Sequence, residues 1–273
     1  MKSTRSIHHR FIQKCKNVRK FSRLDVISMN KRLPALLLAL LLLATPALAD
    51  TPEYTVACVG DSLTFGLGAF DPATESWPAV LGELDGSVNF TTENYGAPGC
   101  TIQHVPELDY TWSDAYWDSL DSDADIFLVM LGSNDLMLWG WQKRLARDYQ
   151  MLLQSYLDLP QSPQVIVVLP PALHYKNRYR FANREIYLLR EMQEQVAEEL
   201  GLDVISLADV SEDLERYCID GGHYDSTAYA IFGEYIYDSL CELLPEEKPA
   251  TPHRSLLPIL KPGIDFLPES VTI

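Results

Sequence analysis

Short apolar runs and segments of helical periodicity alternate along most of this sequence. The apolar runs, several of them rich in β-branched residues, are 54–59, 125–131, 164–169 and 203–207, with a weaker one at 88–95. Apolar residues recur at helical spacing in 76–84, 112–120, 144–157, 183–200 and 226–244. Such strands are typical of parallel sheets covered on both faces, and their alternation with helices predicts an α/β fold. In 183–200 we expect Asn183 to cap the helix and Gly201 to end it.

Polar and glycine-containing segments follow four of the predicted strands. Gly60-Asp61-Ser62 follows the first strand and Asn94-Tyr95-Gly96 closes the second, while Gly132-Ser133-Asn134-Asp135 follows the third. Asp220-Gly221-Gly222-His223 lies between the fifth strand and the last helix. Because reactive groups in parallel α/β sheets lie on loops at the carboxyl ends of strands, these segments are candidates for one site.

Ser62, His223 and Asp220 are the residue types that serine catalysis requires. A serine hydroxyl attacks only when a base takes its proton, and the base is usually an imidazole oriented by a carboxylate. Four histidines follow residue 49, and His223 alone has an acidic residue at such a spacing within a Gly-rich loop. The two intervening glycines allow a tight turn, so we expect Asp220 to reach His223.

Donors for a developing oxyanion are also present. We expect them to be the backbone N–H of Ser62, the backbone N–H of Gly96 and the side-chain amide of Asn134. Asn134 and Asp135 could instead cap the following helix, and Asp61 is expected to be a structural hydrogen-bond acceptor.

These four segments together resemble the blocks of the SGNH (GDSL-type) hydrolase family, in family order, over residues 54–244. The resemblance implies a flavodoxin-like three-layer sandwich with a five-stranded parallel sheet of order 2-1-3-4-5. It also implies a Ser–His–Asp mechanism with Ser62, Asp220 and His223, and no metal or organic cofactor. One position departs from the family, in which proline commonly follows the catalytic histidine, because here Tyr224 follows His223.

The first 49 residues have the pattern of a secretory signal peptide. A basic start leads into an apolar run at 33–44 and then into Ala47-Leu48-Ala49, so we expect cleavage after Ala49 and a secreted or periplasmic protein. Met29 could begin an ordinary leader by itself, so residues 1–28 could reflect a start codon assigned too early. We therefore expect a hydrolase domain at 50–244 and a Pro-rich extension at 245–273.

Charge and cysteine content exclude some classes of function. Residues 50–273 hold 12 Lys or Arg and 37 Asp or Glu, a net charge of −25 against −16 for the whole chain. Such a surface repels nucleic acid and anionic lipid. Cys58, Cys100, Cys218 and Cys241 form no Cys-x-x-Cys pair, which leaves a structural zinc site without support. They could be free thiols, and the pair most compatible with a disulfide is Cys100–Cys218.

Aromatic residues near the site are candidates for a substrate pocket. Trp139 and Trp141 follow the Asn134 segment, and His174 and Tyr175 follow the fourth strand. Trp112 is a further candidate. Aromatic faces there could stack on a sugar ring or accept an acyl group, or could simply pack a loop onto the sheet.

Export, the aromatic candidates and a general resemblance to bacterial carbohydrate O-acetylesterases of this family together favour hydrolysis of short acyl esters, acetyl above all, on carbohydrate. A broad-specificity arylesterase or a lysophospholipase/thioesterase is the alternative within the same class. Outside it, a non-catalytic carbohydrate-binding protein would not need all of the site residues, and a nucleotide binder would need a Gly-rich phosphate loop that this sequence lacks.

Overall fold

The structure is a computed structural model, and it describes residues 51–138 and 140–245 of the 273-residue chain. The chain divides into two compact units, Met1–Asp50 and Thr51–Ile273, and the described residues belong to the second. The expected signal peptide, nearly all of the Pro-rich extension and Trp139 therefore lie outside the described residues, so the predictions about them stay predictions.

A five-stranded sheet of order β2-β1-β3-β4-β5 forms the centre of the unit, and every neighbouring pair of strands is parallel. Its strands are β1 (Glu53–Gly60), β2 (Asn89–Gly96), β3 (Ile126–Met130), β4 (Gln164–Leu169) and β5 (Asp203–Ser206). The predicted fold class and strand order are confirmed, and each predicted strand agrees with the observed one to within one residue at each end.

Helices connect the strands and cover the sheet. In the described part they are α1 (Ser62–Phe65), α2 (Pro72–Glu75), α3 (Trp77–Glu83), α4 (Asp114–Leu120), α5 (Leu145–Leu157), α6 (Ala182–Leu200), α7 (Ala208–Ser211) and α8 (Ser226–Leu243). Short 3-10 turns form at Tyr110–Trp112, Asp135–Met137, Trp141–Lys143 and Glu212–Tyr217. None of the helices within 51–138 and 140–245 combines the length and apolarity needed to cross a bilayer.

Alternating strand residues build two separate hydrophobic cores, one on each face of the sheet. Ala57 and Val59 of β1 pack on the face covered by α4, α5 and α6, whereas Val56 and Cys58 pack on the face covered by α3 and α8. All of β3 is buried, as expected for a central strand. These two cores make the expected three-layer sandwich.

The register of β1 gathers the candidate segments at one edge of the sheet. Gly60, the last residue of β1, pairs with Gly96 at the end of β2 and with Met130 at the end of β3. The chain leaves all three strands at the same level, so Asp61 and the loops after β2 and β3 begin side by side.

Helix α6 ends as predicted but begins differently. Gly201 adopts a left-handed conformation, with φ 69°, and its N–H bonds back to the carbonyl groups of Ala197 and Glu198. The prediction that Asn183 caps the helix is wrong, because the helix already begins at Ala182. The amide of Asn183 is instead bonded to the backbone of Tyr175.

The four cysteines of the described residues are all free. Cys58 is buried in the middle of β1, and the other three are half-buried. The Cys100–Cys218 bridge is therefore not formed in this structure.

Truncation of Leu153 should test the core between the sheet and α5. Leu153 is fully buried, so Leu153→Ala should lower the free energy of unfolding by about 2–5 kcal/mol, through lost apolar contact and a residual cavity. Met151 lies on the same helix but is half exposed, so Met151→Ala should change stability by less than about 0.5 kcal/mol. Urea unfolding of both variants measures the difference, and equal losses would contradict the assigned faces of α5.

Candidate active site

Ser62, His223 and Asp220 form a continuous chain of hydrogen bonds. Ser62 lies two residues after the end of β1, as the first residue of α1, and is almost completely buried. Its Oγ lies 2.8 Å from Nε2 of His223, and Nδ1 of His223 lies 2.7 Å from Oδ2 of Asp220. In this arrangement the imidazole can take a proton from Ser62 while the carboxylate holds its other nitrogen.

Asp220 also shapes the loop that carries His223. Its Oδ1 accepts hydrogen bonds from the backbone N–H groups of Gly222, at 2.9 Å, and His223, at 2.8 Å. The N–H of Ile219 donates to the carbonyl of His223 at 2.9 Å and closes the turn. One carboxylate therefore holds both the backbone and the imidazole.

The ionisation of Asp220 suits this arrangement. Burial acts to raise its pKa, but the hydrogen bonds from the imidazole and the two backbone N–H groups outweigh burial, and the pKa is lowered below its ordinary value. The carboxyl group is therefore ionised at neutral pH, and it can accept the N–H of His223.

Asp61, immediately before the serine, is a buried carboxyl group. Its Oδ1 accepts the N–H of Leu63 at 2.9 Å and caps α1, and its Oδ2 lies 3.4 Å from Nδ2 of Asn134. Burial raises the pKa of Asp61 to about 7, against 3.8 for an exposed aspartate, despite the bond from Leu63. Asp61 is thus a hydrogen-bond acceptor that supports the turn at Ser62.

Asn134 and Asp135 tie the loop after β2 to the loop after β3. Nδ2 of Asn134 donates to the carbonyl of Cys100 at 2.9 Å, and the carboxylate of Asp135 accepts the N–H groups of Ile102 and Gln103 at 2.9 and 3.0 Å. Burial raises the pKa of Asp135 to about 6, although these bonds oppose the rise. Neither side chain caps the 3-10 turn that follows, so the capping alternative is wrong.

The backbone N–H of Gly96, an expected oxyanion donor, already has an acceptor in this structure. It donates to Oδ1 of Asn94 at 2.9 Å, and a Cβ on Gly96 would overlap the backbone of Phe65. The absence of a side chain at Gly96 therefore lets β2 approach α1 closely.

Gly99, which the sequence analysis did not single out, has the properties expected of such a donor. It is exposed, has φ +85°, and has open space where a Cβ would lie. Within the described part of the chain its N–H has no hydrogen-bond acceptor. It precedes Cys100, whose carbonyl is bonded to Asn134. In the sequence, Gly99 could have been found as a second glycine, three residues after Gly96.

The residues expected to line a substrate pocket behave differently from one another. Trp141 is only 5 % exposed and belongs to the core, so it is not part of a rim. The N–H of His174 donates to the carbonyl of Gly221 at 2.8 Å, and Tyr175 packs against Gly221 and Gly222. Trp112 is 68 % exposed.

In the described residues there is no group of three or more His, Cys, Asp or Glu arranged to hold a metal ion.

Exposed apolar side chains beside the loop 219–223, which carries Asp220 and His223 and is called the triad loop below, were not expected. Leu67, Phe70 and Ile219 are 41 %, 94 % and 58 % exposed. The loop after α1 packs on the triad loop, because a Cβ on Gly68 would lie 2.8 Å from Cδ1 of Ile219. The sequence signal was the run Leu67-Gly68-Ala69-Phe70, which places apolar residues just after the serine. We call Leu67, Phe70 and Ile219 the apolar rim.

The sequence also matches known proteins. The sequence model of the GDSL-like lipase/acylhydrolase family matches residues 58–231. An acetylxylan esterase of Xylanibacter ruminicola is 26% identical over 190 residues, which cover 62% of this chain but only 39% of that protein.

Two solved structures share the fold. The native aryl esterase of M. smegmatis has a TM-score of 0.56 and 19% identity, with coverage of 70% of this chain and 100% of that one. A carbohydrate acetylesterase from Sinorhizobium meliloti has a TM-score of 0.57 and 20% identity, with the same coverage of both chains.

The raised pKa of Asp61 predicts that Asp61→Asn gains stability relative to the native chain as the pH rises. The native chain loses stability as the pH rises from about 4 to about 7, because the unfolded state releases this proton first, whereas asparagine has no such proton. Urea unfolding measures the free energy of unfolding of both chains at pH 5 and at pH 8. The value for the variant minus the value for the native chain should rise by about 2 kcal/mol between these two pH values. The exposed Asp85→Asn is the matched control, and a difference independent of pH in Asp61→Asn would contradict a buried, protonated Asp61.

Proposed function

Because this chain belongs to the GDSL-like lipase/acylhydrolase family, we propose that it hydrolyses carboxylic esters with Ser62 as the nucleophile, His223 as the general base and Asp220 as the orienting acid. The observation that carries the proposal is the pair of hydrogen bonds from Ser62 Oγ to His223 and from His223 to Asp220, 2.8 and 2.7 Å long. The three groups meet the geometric requirement for proton transfer, which is heavy-atom contact within about 3.2 Å.

The reaction proceeds in two stages. Ser62 Oγ attacks the ester carbonyl while Nε2 of His223 takes the hydroxyl proton, and the imidazolium then gives that proton to the departing alcohol. Water, activated by the same imidazole, attacks the acyl-serine, releases the carboxylic acid and restores the Ser62 hydroxyl. This chemistry requires neither a metal ion nor an organic cofactor.

The oxyanion formed in each stage needs hydrogen-bond donors. The N–H of Ser62 is the first of α1 and has no acceptor within that helix. One N–H of Asn134 is held by the carbonyl of Cys100, and the other makes only the long 3.4 Å contact to Asp61, so it remains available to an oxyanion. As the third donor, Gly99 fits better than Gly96. The N–H of Gly96 is already bonded to Asn94, whereas that of Gly99 has no acceptor among the described residues. Loss of one donor typically lowers kcat about 10²–10³-fold.

The proposed substrate is a short acyl ester, acetyl above all, on a neutral carbohydrate. The relative from Xylanibacter ruminicola is an acetylxylan esterase, although this chain spans well under half of that protein's length. The exposed Trp112 offers an aromatic face for a sugar ring, and a net charge of −25 over 50–273 disfavours polyanionic substrates. The leader pattern of residues 1–49 supports a secreted or periplasmic location, with the hydrolase domain at 50–244 and an extension at 245–273.

The apolar rim favours a second candidate, an arylesterase or a lysophospholipase/thioesterase of broad specificity. Leu67, Phe70 and Ile219 expose apolar surface beside the triad loop, where an aryl or long acyl group could be buried. The two candidates share the same chemistry and differ only in the group that the surface accepts.

Ser62→Ala should abolish ester hydrolysis while preserving the fold, because the variant has no nucleophile. His223→Ala should be almost as damaging, and the double variant should be no worse than Ser62→Ala, since the two residues act as one unit. Hydrolysis of p-nitrophenyl acetate by each purified variant measures the effect, with circular dichroism as the control for folding. Substantial turnover by Ser62→Ala would contradict the proposal, and an inactive native chain that still binds carbohydrate would favour a binding protein.

Acyl preference should separate the two candidates. With p-nitrophenyl esters of increasing chain length, a carbohydrate acetylesterase should have its highest kcat/KM for acetate and should release acetate from acetylated xylan. Phe70→Ala should leave that preference unchanged. A maximum at longer acyl chains that is lost in Phe70→Ala would instead favour the second candidate.

A further inference from the structure

We propose that Asn183 and Tyr175 are positioning residues that fix the loop carrying Asp220 and His223. The inference depends on the proposed function, because it assigns to these two residues the task of keeping the imidazole in line with Ser62. It rests on contacts between the start of α6, the segment after β4 and the triad loop.

The first contact is a two-point clamp on the backbone of Tyr175. Oδ1 of Asn183 accepts the N–H of Tyr175 at 2.9 Å, and Nδ2 of Asn183 donates to the carbonyl of the same residue at 3.0 Å. Asn183 lies in the first turn of α6, a 19-residue helix packed on the sheet. One amide therefore attaches a surface segment to a rigid element at both polar groups of a single residue.

The second contact lies between the ring of Tyr175 and the two glycines of the triad loop. A Cβ on Gly221 would lie 2.5 Å from Cδ1 of this ring, and a Cβ on Gly222 would overlap its Oη. The ring thus occupies the space that side chains at both positions would need. Burial and the charge of Asp220 raise the pKa of Tyr175 to about 12, so the ring stays neutral beside the carboxylate.

A third contact joins the backbones of the two segments. The N–H of His174 donates to the carbonyl of Gly221 at 2.8 Å. The segment 174–175 therefore touches the loop between Asp220 and His223 through one hydrogen bond and one aromatic ring.

The triad loop needs such support because it lies near the surface. The side chain of Asp220 is 51% exposed, so little protein covers it from outside. The internal bonds of Asp220 fix the shape of the turn, but they do not fix the position of the turn relative to Ser62, which begins α1 after the end of β1. A displacement of about 1 Å can lower a rate about 10²-fold. The buried Tyr224 anchors the end of the loop, with its hydroxyl donating to the carbonyl of Ala172 at 2.7 Å. The clamp on Tyr175 supplies a second anchor, at Gly221 and Gly222.

Removal of the clamp should lower kcat rather than raise KM. Asn183→Ala and Tyr175→Ala should each reduce kcat for p-nitrophenyl acetate about 10- to 100-fold, with KM changed less than threefold. Tyr175→Phe should recover most of the loss, because the ring makes the contact. In proton NMR, the downfield resonance of the proton between His223 and Asp220 should broaden or disappear in the two alanine variants and persist in Tyr175→Phe.

Controls separate a positioning role from a general loss of structure. Asn177→Ala removes a comparable bond, from the N–H of Tyr179, in the same segment and should keep native kcat. Asn183→Asp keeps the acceptor for the Tyr175 N–H but places a carboxylate oxygen against the Tyr175 carbonyl, so it should lower kcat even if Asn183→Ala does not fold. Gly222→Ala should be inactive, and Tyr175→Phe should partly restore it by removing the overlapping Oη.

A double-variant cycle gives the decisive result. If Asn183 acts through the triad loop, Asn183→Ala should lower kcat much less in an Asp220→Ala background than in the native chain. Native kcat and a native downfield resonance in Asn183→Ala, or fully additive losses in the cycle, would overturn the inference. If those outcomes are found while Ser62→Ala is inactive, only the role of Asn183 and Tyr175 is disproved and the proposed function stands. If Ser62→Ala is active, the proposed function itself is disproved.

Discussion

The common level at which β1, β2 and β3 end is the constraint on which the rest of the site depends. Gly60 pairs with Gly96 on one side and with Met130 on the other, so three loops leave the sheet side by side. A slip of one residue in either pairing would move the loops apart by about 3.3 Å and turn the strand side chains to the opposite core. Register is well specified here because both faces of β1 are buried in separate cores.

Beneath the serine, two buried carboxyl groups stabilise loops rather than react. Asp61 caps the helix that begins at Ser62, and Asp135 accepts two backbone N–H groups of the neighbouring loop. Asn134 lies between them and contacts both Asp61 and Cys100. Burial of these carboxyl groups is unfavourable, as their raised pKa values show, and the backbone bonds offset part of that cost. The network fixes the loops around the serine at some expense of stability.

Local features of this site could be predicted from sequence, and features that depend on the path of the chain could not. The spacing of Asp220 and His223 within a glycine turn limits their separation, so their contact was predictable. Trp141 was expected at a rim, but the turn at Trp141–Lys143 directs it into the core. Asn183 was expected to cap its own helix, but it bonds to Tyr175, eight residues earlier. Capping rules consider only bonds to the first turn of the helix, so they could not predict this contact. Composition also cannot distinguish Gly96, at the end of β2, from Gly99, in the loop that follows. The structure distinguishes them, because the side chain of Asn94 accepts the N–H of Gly96 and leaves that of Gly99 without an acceptor among the described residues.

The exposure of Asp220 limits the distance over which its charge can stabilise a protonated imidazole or any other cation. Water screens a charge about four times more strongly than the effective medium near a protein surface, and half of this side chain is in contact with water. At the imidazole itself this screening is incomplete, because the hydrogen bond of 2.7 Å is far shorter than the ionic screening length of about 8–10 Å. Dissolved ions therefore weaken the carboxylate mainly towards groups that lie farther away. In a surface loop of this kind, a carboxylate acts on its hydrogen-bonded neighbour both as a fixed point of attachment and as a short-range charge.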